Sequence, residues 1–269
     1  MANSGPVTSP DNLKMPEIRS VEITDVADAL KAGLADFFAA PLYGLFFGSV
    51  CAALGLLMLV SVSKFGVPWM IIPIAVGFPL VGPFMAAGLY EVSRRRSAGN
   101  PLRWREILFL MFYQRERQFA YVGILVLCIF WIWMFVGRIL FALFIGSHHF
   151  AGMTAFAATI LTTSHGLGFL AVGSVLGAIL AFVLFASTVI TMPMLVERDV
   201  DIITAIITSF NTVYASPFAM IGWGIVVTAL VILAMLPAFL GLVVVLPVLG
   251  HATWHLYKRA IVPLDLQQT

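Results

Sequence analysis

His251 and His255 stand four residues apart near the end of the chain, so a helix there carries both imidazoles on one face. A pair at that spacing can ligate a metal or a haem iron, or pass a proton near neutral pH. Glu91 and Glu197 sit just past two long apolar runs. If those runs end on one side of a membrane, two imidazoles and two carboxylates meet there, and a metal or proton site is the chemistry to expect. The competing reading is structural. Segment 250–257 mixes His, Thr, Trp and Tyr as interfacial belts do, and its imidazoles then bond carbonyls, headgroups or neighbouring helices.

Other candidates are fewer. Arg138 lies within an apolar run that begins near Phe119. It is either a buried functional charge or a side chain that snorkels to the far headgroups beside Trp131 and Trp133. His148, His149 and His165 flank segment 147–166, which is apolar but too short for a clean span and reads as an interfacial or re-entrant helix. Gly173 and Gly177 form a small-xxx-small pair that permits close helix approach. No HExxH, Walker or nucleophile-elbow motif occurs, and Cys51 and Cys128 both fall inside apolar runs as inert small hydrophobes. Catalysis by side chains at membrane depth is therefore not expected, and no cofactor is required unless His251 and His255 hold haem or metal.

The elements that must position these groups are membrane helices. Hydrophobic residues make up 61% of the chain and charged ones 10%, with a mean hydropathy of +1.02, against roughly 25% charged in soluble domains. No Asp, Glu, Lys or Arg occurs in 139–196 or in 202–257. A soluble helix needs a polar face, so these runs belong in lipid. Six spans follow, at about 41–63, 67–90, 119–144, 167–195, 217–236 and 237–257, with a tight Lys64-Phe65-Gly66 link inside the first hairpin and Pro237 opening the last helix. Segment 1–20 reads as a disordered tail and 263–269 as a second tail, leaving 21–262 as one membrane domain. Arg94, Arg95, Arg96, Arg103 and Arg105 lie between spans two and three. The positive-inside rule then puts both termini in the cytoplasm. A net charge of +2 gives no reason to expect nucleic acid.

Three amphipathic segments precede outgoing spans. In 25–40, Val26, Leu30, Leu34, Phe37 and Phe38 form one stripe. Asn100-Pro101 opens a second segment. In 201–214, Ile202, Ile203, Ile206, Ile207, Phe210 and Val213 oppose Thr204, Thr208, Ser209 and Asn211. Each reads as a helix lying in the cytoplasmic interface. The expected fold is all-α: six transmembrane helices in three hairpins, each led by an interfacial helix. The gapless match of Pro41 with Pro217 raises a pseudo-threefold repeat, which common hairpin physics would also imitate.

The exit motifs carry a resemblance. Gly82-Pro83-Phe84, Gly88-Leu89-Tyr90-Glu91, Trp104-Arg105-Glu106, the run from Pro193 to Asp201 and the run from Leu246 to His255 resemble an alphaproteobacterial family of predicted integral membrane proteins, some labelled putative cytochrome c oxidase subunits. The resemblance covers about 22–262. It implies an accessory place beside a respiratory oxidase. Catalysis by this chain is excluded by ligand count, because a haem-copper subunit needs six His and the chain has five. The function to expect is a non-catalytic inner-membrane accessory or assembly subunit, with lipid and other membrane subunits as partners. A small-solute or lipid transporter is the alternative, and a haem or metal protein using His251 and His255 the third.

Overall fold

The computed structural model describes residues 16–63, 71–108, 116–146 and 153–263. The chain is helical throughout: α1 (Ile23–Ala39), α2 (Pro41–Ser63), α3 (Ile71–Ser97), α4 (Trp104–Leu108), α5 (Glu116–Phe144), α6 (Met153–Thr162), α7 (Ser164–Thr188), α8 (Thr191–Glu197), α9 (Ile202–Ala215), α10 (Pro217–Met235) and α11 (Leu242–Ala260). Among the described residues the only β-type pairing is an isolated bridge between Ile18 and Ile261.

Among the described residues four stretches are long and apolar enough to cross a bilayer: 41–61 in α2, 118–144 in α5, 164–197 through α7 and α8, and 217–235 in α10. The six expected spans are therefore reached by four on length and apolarity. The Lys64-Phe65-Gly66 link lies outside the described residues, as do His148 and His149. The sixth span differs for a visible reason. Pro237 does not open the last helix but sits in a turn of residues 236–241, where Ala238 and Phe239 take positive φ values of 50° and 67°. The helix begins only at Leu242 and carries His251, His255, Lys258 and Arg259 on its second half.

Local chemistry sets the helix ends. The Asp25 carboxylate accepts from the Glu22 amide at 2.9 Å and holds the start of α1. Asp201 caps α9 by accepting from the Thr204 amide at 2.9 Å. Gly99, at φ +69°, stops α3: its amide bonds the Arg96 carbonyl and the Asn100 amide bonds the Arg95 carbonyl, the paired closure of a Schellman end. That closure uses up Asn100, so α4 starts at Trp104 rather than at Asn100-Pro101. Asp201→Ala is expected to cost about 1 kcal/mol, read as a lower thermal midpoint of helicity in detergent.

The breaks before α2 and α10 are alike. Ala40 adopts φ −137°, ψ 54° and Ser216 adopts φ −137°, ψ 59°, each immediately before a proline. Their amides bond the carbonyls of Asp36 and Thr212 respectively.

Helix α11 occupies the centre and packs on α1, α2, α3, α8 and α10. Close approach is made by glycine. A Cβ on Gly33 would stand 2.5 Å from the Ala252 nitrogen, and one on Gly48 would stand 2.4 Å from the Val243 carbonyl oxygen. Backbones touch there because no side chain intervenes.

In both lead-in helices much of the hydrophobic stripe stays outward, as a helix in the interface requires, and a face richer in small and polar residues packs inward. In α1 the buried face is Val26, Ala29, Gly33, Asp36 and Phe37, while Ile23, Leu34 and Phe38 are exposed. In α9 the buried face is Ala205, Thr208, Ser209, Thr212 and Val213, while Ile203 and Tyr214 point outward. In lipid the bulky apolar face gains nothing by turning inward, and small or hydroxyl residues make the better helix contact.

The tail expectation also needs correction at residues 16–20. The Arg19 amide bonds the Ala260 carbonyl at 2.8 Å, the Val262 amide bonds the Glu17 carbonyl at 3.0 Å, and the Val21 amide bonds Ser216 Oγ at 2.7 Å. The two described ends are clasped together.

Candidate functional site: a buried carboxylate and histidine network

His251 and His255 share a face of α11, and that face meets Asp36 of α1 and Ser93 of α3. One carboxylate organises the cluster. Asp36 Oδ2 accepts from Ser93 Oγ at 2.6 Å and pairs with His255 Nε2 at 2.8 Å. Asp36 Oδ1 accepts from Arg96 Nε at 2.9 Å. Burial is the largest influence on this carboxyl and pushes its pKa up, but the bonds from His255 and Ser93, the His255 charge and the Arg96 bond together outweigh it and hold the group at about 2.

The network fixes the tautomers. An ionised carboxylate only accepts, so His255 Nε2 carries a proton and Ser93 donates its hydroxyl proton to Asp36. Ser93 Oγ also lies 2.8 Å from His251 Nδ1, which must then donate. His251 Nε2 is left as a bare lone pair. It is fully buried and meets no partner among the described residues.

The folded pKa of Asp36 lies below its unfolded value of about 3.9. Its contribution to stability is therefore complete above that value and is lost as pH falls from about 4 through 2. Acid titration of helicity should show this loss in the wild type, and Asp36→Asn should remove that part of the difference. Superimposed curves would contradict the assignment.

The glutamates expected beside the histidines are engaged elsewhere. Glu91 is completely buried and holds two guanidiniums: Arg94 Nε and Nη2 donate to it at 2.6 and 2.8 Å, and Arg95 Nε at 2.6 Å. Arg95 also bonds Glu106, which in turn accepts from Arg103 at 3.2 Å. Glu197 accepts from Tyr257 Oη at 2.6 Å and from Lys258 Nζ at 2.7 Å. Arg198, 3% exposed, donates to Tyr257 Oη at 3.1 Å and to the Val262 carbonyl at 2.6 Å.

The four expected metal ligands thus fall in three separate networks, and among the described residues no three His, Cys, Asp or Glu side chains converge to hold a metal ion.

The remaining expected residues are placed as follows. Arg94, Arg95 and Arg96 form the last turn of α3, and Arg103 and Arg105 are exposed around α4. Arg138 is exposed, 22 residues after the start of α5, or about 33 Å along it. His165 is exposed at the start of α7, and α6 folds against that helix, with the Thr159 carbonyl 2.3 Å from where a Gly166 Cβ would be. Gly173 and Gly177 do not serve close approach. The nearest atoms to their hypothetical Cβ positions are Leu140 and Trp133 side-chain atoms, both at 3.8 Å.

Asp36, Ser93 and Tyr257 were not among the expected site residues. A signal for Asp36 existed: Val26, Ala29, Gly33 and Asp36 recur at steps of three and four, the spacing of one helix face.

This polar end joins α3 and α8, the limits of a segment that matches a known family. Residues 71–197 match the family described as predicted integral membrane protein (DUF2189). That segment is similar to DUF2189. It contains Glu91, Ser93, Arg94–Arg96, Arg138 and Glu197, whereas Asp36, His251 and His255 lie outside the matched residues. No curated protein matches the chain, and no solved structure does.

Proposed function

We propose that the chain is a non-catalytic accessory or assembly subunit of a larger complex in the bacterial inner membrane. The observation that carries the reading is the lopsided packing of α5 and α7. In their most apolar windows only 17% and 6% of residues are buried, against 33% in α2. Two long helices with bare faces can seat partner spans laterally. The polar end supports a non-catalytic role, since its carboxylates are neutralised by arginine, lysine and histidine of the same chain. The resemblance to putative oxidase subunits makes a respiratory complex the first partner to seek.

The pseudo-threefold scheme belongs to this reading. Each lead-in helix rests on the preceding hairpin's return helix: α4 on α3, α9 on α7 and α8, and α1 on α11, which closes the ring. The matched breaks at Ala40 and Ser216 support it. Basic groups at the ends of α3 and α11, with Arg198 after α8, support six spans with both termini cytoplasmic.

Extraction in mild detergent, affinity purification and mass spectrometry test the reading. Stoichiometric recovery of subunits of a membrane complex is expected. Recovery of the chain alone would overturn it, and a Soret band would favour the haem alternative instead.

A further inference from the structure

Two voids lie along the α5–α7 hairpin. One, of about 680 Å³, is an open cleft lined mainly by α3, α5, α7 and α10, with Tyr90, Met192 and Thr253 also in its wall. The other, of about 670 Å³, runs between α5 and α7 toward the far end and includes Arg138. They share Trp133 and Gly177 in their walls and so adjoin. From Val122 to Arg138 the combined groove follows 16 residues of α5, about 24 Å of rise. One leaflet of the hydrocarbon core is roughly 15 Å thick, so a chain entering from the far leaflet fits with its head at the Arg138 end.

Three further facts concern this groove. Gly137 has nothing within 4 Å of a Cβ position, and Gly173 and Gly177 meet only single side-chain atoms at 3.8 Å. The small residues open space instead of joining helices. The walls are otherwise mostly aliphatic and aromatic, with hydroxyls at Ser174, Thr188 and Thr253. Arg138, at the mouth, has no hydrogen bond or ion pair among the described residues. A guanidinium at the edge of the hydrocarbon core is costly without an anion, and phosphate oxygens suit its fork of donors. Basic pockets between transmembrane helices recognise anionic headgroups in this way.

We propose that the α5–α7 groove binds one anionic phospholipid of the surrounding bilayer. Its phosphate sits on Arg138, and one acyl chain runs along Gly173 and Gly177 and past Trp133 into the inner void. The site holds whether or not the chain proves to be an accessory subunit, and it requires no transport cycle.

The test uses the full chain purified in detergent and exchanged into mixed micelles of phosphatidylglycerol and phosphatidylcholine with identical acyl chains. Native mass spectrometry then counts retained lipid. Wild type is expected to retain one phosphatidylglycerol in preference to phosphatidylcholine. Arg138→Gln should lower that preference about five-fold while leaving the thermal midpoint unchanged. Gly177→Leu should abolish retention of either lipid, and Gly222→Ala, whose Cβ position is open, should behave as wild type. Equal retention of both lipids by wild type, or undiminished preference in Arg138→Gln, overturns the proposal. If Gly177→Leu lowers the thermal midpoint, Arg138→Gln alone decides.

Discussion

Asp36→Ala should destabilise the protein by about 3 kcal/mol, the lower part of the range for removing one partner of a buried ion pair. The substitution leaves Arg96 without its carboxylate and orphans the proton on His255 Nε2 and the Ser93 hydroxyl together. The lower part of the range applies because Arg96 and His255 are partly exposed and water can relieve them. Asp36→Asn keeps one acceptor for the network and should cost less than alanine. Helicity followed by circular dichroism in detergent, against temperature, measures both. An alanine variant that melts with the wild type would mean that the network does not bind α1 to α3 and α11.

Gly33→Leu should be at least as damaging. Its Cβ alone meets the Ala252 nitrogen at 2.5 Å, the Val248 carbonyl oxygen at 2.7 Å and the Ala252 Cα at 2.8 Å. These are backbone atoms of α11 and cannot rotate away, so α1 must move off as a body. Overpacking of a fitted contact costs about 1–3 kcal/mol. Here the displacement also carries Asp36, one turn further along α1, away from His255. The double variant Gly33→Leu with Asp36→Ala should therefore cost less than the sum of the singles, since the first change already breaks what the second removes. Gly222→Ala has open space and should be neutral or stabilising by up to about 1 kcal/mol. Equal stability of Gly33→Leu and wild type would contradict the close crossing.

Much of this fold was legible in the sequence because lipid punishes charge strongly. The charge-free runs located α7 and α10, and Pro41 and Pro217 marked where two of the lead-in helices break. The inward contacts of those helices were not legible from hydrophobicity. The stripe marked the side turned to the membrane, Leu34 and Phe38 included, but left Asp36 among the polar residues off it with no partner named. With lipid outside, Gly33 and Ala29 are the contact residues, and Asp36 is buried with partners. The polar cluster was half legible. The spacing of His251 and His255 placed them together, but nothing in a linear pattern told which carboxylate would cross to meet them. Glu91 and Glu197 stand at the same end of the helices as the histidines but at the wrong azimuth, and each has basic neighbours in sequence or on α11 that take it first.

The central helix lies far along the chain from the helices it holds. Residues 242–260 supply the surface on which α1, α2 and α3 dock, and the strand-like clasp of Ile18 with Ile261 forms only beyond it. During synthesis α1 and α2 therefore leave the ribosome well before their tertiary partner does. Until then the grooves at Gly33 and Gly48 stand open and Asp36 waits without His255.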